Sequence, residues 1–182
     1  MFMFFSASVF GQVETPSPEK NIEERNSLCR FGFDSRGIYS MQNANNDYIV
    51  YEVPGMSASD LKGAALSAIS SHYKSPKDVV TSLGDNIIQL ETFASSVYVS
   101  KAKYPHDMSY SIIIQFKDGK IRYNIPTVKQ IWASGTILGS LKLDMSKSLS
   151  TLVEGSDRQS VAKEFNNLVD YINKKIKESD DW

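Results

Sequence analysis

Residues 109–128 read SYSIIIQFKDGKIRYNIPTV. At their centre, Asp118-Gly119 is the pair that a two-residue hairpin turn prefers, because such a turn needs positive φ and glycine adopts it without steric cost. Both flanks alternate apolar and polar, the period of strands with one buried face. Counting outward from the turn pairs Phe116 with Ile121, Ile114 with Tyr123 and Ile112 with Ile125. All six then share one face and are expected to meet helices. The other face carries Ile113, Gln115, Arg122 and Asn124, a mix of apolar, amide and cationic groups that suits either a solvated face or contact with a partner. These four are the candidate ligand-binding residues. The strand after the turn is expected to continue through Val128 to Trp132.

Upstream, residues 48–53 (YIVYEV) are β-branched and aromatic, as a strand requires, and Pro54-Gly55 supplies the turn that ends it. Ser57 precedes Asp60 by three residues, close to capping-box spacing, and Leu61, Ala65, Ala68, Ile69 and His72 follow at helical intervals. Ser75-Pro76 stops that helix, since the residue before proline avoids helical geometry. Lys77 and Asp78 then read as a solvated turn leading into Val79-Val80. Residues 86–100 (NIIQLETFASSVYVS) form a further strand, with Ala94-Ser95-Ser96 as an irregularity.

Downstream of the hairpin, residues 135–155 scatter glycine and serine among leucines and read as an irregular connection with a short helical turn. Ser156 and Gln159 have cap spacing for a second helix, with Val161, Phe165, Leu168, Val169, Ile172 and Ile176 as its apolar stripe. Lys174, Lys175 and Lys177 suit the negative end of its dipole. Acidic Glu164, Asp170 and Glu178 favour a core-facing helix over one lying on a membrane.

At 182 residues with 41% apolar content, the chain is expected to form one domain with irregular ends. Residues 1–11 (MFMFFSASVFG) are apolar and are expected to be a signal peptide cut after Gly11. They lack a basic lead, so a start codon further upstream is expected. Residues 12–27 read as a polar tether, residues 28–178 as a single α+β domain, and residues 179–182 as a tail. Twenty basic and twenty-one acidic residues leave a net charge of -1, without the excess that draws nucleic acid or anionic lipid. No integral membrane span is expected.

Cys29 is the only cysteine and is expected to be a partly buried structural thiol. The sequence contains no phosphate-cradling GxxxxGK[ST], no GxSxG, no HExxH and no CxxC, and has only two histidines. No cofactor or metal is expected. Tyr104-Pro105-His106-Asp107 is the one segment where a neighbouring imidazole and carboxylate could transfer a proton if they converge on a cleft.

Strand, helix, several antiparallel strands, helix describes an α+β fold with one curved sheet and helices on one face. The combination YEVPGMSASDL, HYKSPKDVV and YSIIIQFKDGKIRYNI resembles an uncharacterised bacterial family of exported proteins, common in Bacteroidetes, with a TATA-binding-protein-like (TBP-like) fold. The resemblance runs from about Phe33 to about Ile131. It implies a β-α-β(n)-α order and brings no catalytic residues. Two functions remain open. One is an exported, noncatalytic module binding an envelope protein, peptide or glycan on the open sheet face, with Tyr98, Ile113, Arg122 and Trp132 as contact types. The alternative is an envelope hydrolase or transferase using His106 and Asp107 or dispersed carboxylates.

Overall fold

The computed structural model describes residues 18–101, 103–134 and 148–180. In chain order the elements are α1 (Pro18–Ser27), β1 (Phe31–Asp34), β2 (Gly37–Ser40), β3 (Tyr48–Glu52), α2 (Ala58–His72), α3 (Pro76–Val79), β4 (Val80–Gly84), β5 (Ile87–Val99), β6 (Pro105–Lys117), β7 (Lys120–Asn124), β8 (Thr127–Ala133), α4 (Leu149–Leu152) and α5 (Ser156–Asp180). The signal segment, residues 12–17 of the tether, residues 135–147 of the connection and residues 181–182 lie outside the described residues.

The hairpin organises the sheet. Phe116 stands opposite Ile121 and Ile114 opposite Tyr123, with Gly119 at φ 71° in the turn. All strands of the main sheet are antiparallel, in the order β3-β7-β6-β5-β4, and β8 pairs with β6 beyond the end of β7. The expected third pair, Ile112 with Ile125, does not form. Pro126 has no N–H to give the ladder, β7 ends at Asn124, and the register has shifted by one residue when Ser111 meets Thr127 on β8. Ile112 instead faces Leu90 of β5, and the chain from Val128 to Trp132 belongs to a separate strand.

Helices α2 and α5 cover one face of this sheet. Leu61, Ala65, Ala68 and Ile69 of α2 are buried, as are Val161, Phe165, Val169, Ile172 and Ile176 of α5. They pack against the even-numbered residues of β5 and β6 and the odd-numbered residues of β3 and β7, including Ile88, Leu90, Ile114, Ile49 and Tyr123. Each buried valine, leucine, isoleucine or phenylalanine among them contributes about 1.5–3 kcal/mol by leaving water. Tyr123 also donates its buried hydroxyl to Asn173 Oδ1 of α5 at 2.6 Å, fixing how the helix crosses the sheet. Ser57 caps α2 by accepting from Asp60 N. Helix α5 begins at Ser156, so that residue is the first of the helix where the cap spacing placed it just outside. The helix continues to Asp180, through part of the expected tail.

Other local differences have identifiable causes. The solvated turn expected at Lys77 and Asp78 is a single helical turn, α3, with Pro76 at its start, where proline's missing N–H has no helical partner to lose. The second half of the expected tether is helix α1. Its Asn26 amide both donates to Glu52 O and accepts from Glu52 N, each at 2.8 Å, acting as a fragment of strand on the outer edge of β3. Gln42 does the same for Val50, at 2.7 and 2.6 Å. The β1–β2 hairpin packs beside α5 and forms a separate sheet. No helix among the described residues is long and apolar enough to cross a membrane.

Candidate functional site

With α2 and α5 on one face, strand alternation leaves Tyr48, Val50 and Glu52 of β3, Lys120, Arg122 and Asn124 of β7, Ile113, Gln115 and Lys117 of β6, and Ile87 of β5 on the other. The four candidate residues Ile113, Gln115, Arg122 and Asn124 therefore do share the open face. Gln115 and Arg122 are directly opposed in the ladder. The Arg122 guanidinium lies 3.8 Å from the centroid of the Tyr48 ring. Its Nε donates to Asn124 Oδ1 at 3.1 Å and its Nη2 to Asp47 Oδ1 at 3.4 Å. Three neighbours thus orient one partly exposed cation, and Asn124 acts mainly as one of them. Stacking on an aromatic face with a planar fork of donors still available is the arrangement in which arginine recognises carboxylates.

A recess of about 640 Å³ opens here, lined on β3 by Tyr48 and Val50 and on the hairpin by Gln115, Lys117, Lys120 and Arg122, with Asn86, Ile87 and Phe116 completing it. Ile113 and Asn124 lie outside it. The sequence reading missed Tyr48 and the two lysines. The signal was present, since alternation along YIVYEV puts Tyr48 and Val50 on the face opposite Ile49 and Tyr51, but the pairing of β3 with β7 is nonlocal.

At the far end of the same face Trp132 stacks on Phe93, centroids 5.4 Å apart and 25° between planes, and Phe93 is half exposed. Trp132 thus lies on the open side, as expected of it. Tyr98 does not. The β5 register shift between Ala94 and Tyr98 advances by two residues, which preserves parity and keeps Tyr98 on the helix side with Ile88 and Leu90. There it is buried and stacks on His106, 4.6 Å between centroids. Burial, and secondarily the charge of Asp157, pushes its phenol up to about 12.

His106 and Asp107 are adjacent on β6, so their side chains point to opposite faces. His106 Nδ1 lies 3.0 Å from Tyr104 O, and because a carbonyl only accepts, Nδ1 carries the proton. The imidazole borders a recess of about 270 Å³ that also includes Glu154 and Asp157, below the usual size of ligand pockets. Asp107, buried on the other face, accepts from Ser96 N at 2.9 Å and holds the bulge in which Ser96 has φ 53°. The two are not an acid–base pair. Cys29 is almost fully buried, which pushes its thiol up to about 12 and leaves no thiolate for nucleophilic chemistry. Among the described residues, no three His, Cys, Asp or Glu side chains are grouped to hold a metal ion.

No family model and no curated protein matches the sequence. Solved structures do. A TBP-like protein from Parabacteroides distasonis superposes with a TM-score of 0.52 at 11% identity, covering 74% of this chain and 96% of that one. A DUF4468 family protein from Bacteroides ovatus gives a TM-score of 0.45 at 11% identity over 71% of this chain and 84% of its own. At such identity the first of these speaks to architecture, and the architecture agrees with the topology above: this chain has a TBP-like α+β fold, an antiparallel sheet with its helices on one side and an open face on the other.

Proposed function

We propose that this protein is a noncatalytic binding module of the bacterial envelope that takes its partner, a protein, peptide or glycan, on the open face of the sheet. One observation carries the reading. Arg122 is stacked and hydrogen-bonded into a single orientation on an exposed surface, beside a ligand-sized recess that the fold leaves uncovered. Holding a partly exposed arginine in one orientation costs side-chain entropy, and a preoriented cation lowers the cost of binding. The neighbour from Parabacteroides distasonis supports a bacterial setting, and the apolar stretch at residues 1–11 supports export.

A photo-crosslinking side chain at Ile113, introduced into the protein in its native host, tests both parts. Periplasmic or surface fractionation of the protein, with a crosslinked adduct at Ile113 and none at a control site such as Glu23 on α1, is the expected outcome. Cytoplasmic retention removes the envelope from the proposal. Equal labelling at both positions removes the open face.

A further inference from the structure

The charge of the recess bears on the class of its ligand, given the open-face reading above. Its lining includes three cations, Lys117, Lys120 and Arg122, and no carboxylate. Two acids stand beside it: Asp47 accepts from Arg122 Nη2 at 3.4 Å, and Glu52 on the neighbouring strand is engaged by both Arg25 Nε and Nη2, at 3.1 and 2.8 Å, and reaches Lys120 at 3.8 Å. Lys117 and Lys120 stand directly opposite one another in the ladder, where like charges oppose pairing. Asp118, between them in the chain, turns its carboxylate to Ala58 N and makes no ion pair with either lysine among the described residues. Glu52, opposite Lys120 on β3, accounts for that lysine in part; Lys117, with Lys120 across the ladder and no ion pair among the described residues, is the charge that folding leaves unexplained.

Their spacing is informative. Lys120 and Arg122 are two residues apart on one strand, as are Lys117 and Gln115 on the other, so the hairpin presents two rows about 6.6 Å apart, twice the strand rise. An extended peptide repeats its side chains on one face at the same interval. The geometry points to an acidic peptide segment in extended conformation, with carboxylates at alternate positions: one over the Lys117–Lys120 row, the next over the Gln115–Arg122 row. Val50 and Ile87 offer apolar contact to its flanks. A long polyanion fits less well, since nucleic-acid affinity sums over many phosphates and the chain's net charge is -1.

Calorimetric titration of the full chain with capped heptapeptides decides the matter. One carries glutamates two positions apart, a second carries them adjacent, and a third replaces both with glutamine. The first is expected to bind at least about tenfold tighter than either other, a gap of roughly 1.4 kcal/mol, with affinity falling as salt rises. Lys117→Gln with Lys120→Gln is expected to erase the advantage while leaving the melting temperature nearly unchanged. Equal binding of the first two peptides, or no binding of the first at low salt, overturns the inference. So does tighter binding of single-stranded DNA or a heparin oligosaccharide. If the peptides fail while crosslinking at Ile113 still captures a partner, only the ligand class is wrong; if crosslinking fails as well, the open-face reading falls with it.

Discussion

Asp118 Oδ1 accepts a hydrogen bond from Ala58 N at 2.8 Å, so the turn of the β6–β7 hairpin caps the first turn of α2, sixty positions earlier in the chain. Two backbone bonds brace the same junction, Val53 N to Gly119 O and Gly119 N to Met56 O, each 2.8 Å. The strand-ending Pro54-Gly55 and the hairpin's Asp118-Gly119 are thus one structural unit, which fixes the helix layer to the strands that carry Arg122 and Lys120.

Removing the cap has a defined cost. Asp118→Ala is expected to destabilise the protein by about 0.5–2 kcal/mol, the usual value of an N-terminal cap, while Asp118→Asn, which keeps an acceptor oxygen, retains most of it. Urea unfolding of the two variants measures the difference; equal stability of Asp118→Ala and wild type means the cross-chain cap carries no energy.

At Gly119 the constraint is the backbone. A Cβ there would meet only Pro54 Cα and Val53 O at 3.8 Å, ordinary contact, but φ is 71°. Gly119→Val is accordingly expected to cost about 1–3 kcal/mol through dihedral strain, and Gly119→Asn less. Thermal unfolding unaffected by valine would place the turn elsewhere.

Glu52 predicts a response to acid. The hydrogen bond from Arg25, reinforced by Lys120, holds its carboxyl below the usual glutamate range. A folded value below the unfolded one means that the stabilisation is fully present above about pH 4.5 and is lost as pH falls through the lower, folded value. Helix α1 has ten residues, too few to persist alone, and none of its described side chains is fully buried. Glu52→Gln should therefore increase proteolytic cleavage within residues 18–27 at pH 7. The difference from wild type should shrink as pH falls below the usual glutamate range; a difference unchanged by acidification assigns the docking of α1 to other contacts.

Cys29, with its thiol displaced upward by burial, is expected to react with a disulfide reagent at pH 8 only after unfolding. Prompt labelling of the folded protein contradicts the packing of the segment between α1 and β1.

The elements legible in the sequence are those whose determinants are local. The hairpin carries its turn and both alternating flanks within residues 109–124; α2 and α5 carry their caps and stripes within a few turns. Helix α1 was not legible because its determinant is distant: Asn26 substitutes for a neighbouring strand on Glu52, a partner that appears only after folding. The β1–β2 hairpin did leave a local trace in the alternating Phe31 and Phe33 and in Gly37. Gly32 belongs to it too, since a Cβ there would sit 2.3 Å from Tyr39 Cζ. On the open face, parity correctly grouped Ile113, Gln115, Arg122 and Asn124. What parity within one strand could not supply was the neighbour across the sheet, so Tyr48, which orients Arg122, and the two-lysine row went unseen.

The most direct test of the binding account is the paired substitution Gln115→Glu with Arg122→Glu, assayed by crosslinking from Ile113 in the native host, beside His106→Ala. The paired variant is expected to fold, since like charges opposed in a sheet cost it only modestly, and to lose its crosslinked partner, because charge reversal at a desolvated contact is strongly opposed; His106→Ala is expected to keep that partner. A paired variant that retains the full adduct, together with loss of a measurable activity in His106→Ala, contradicts the account and puts chemistry at His106 in its place.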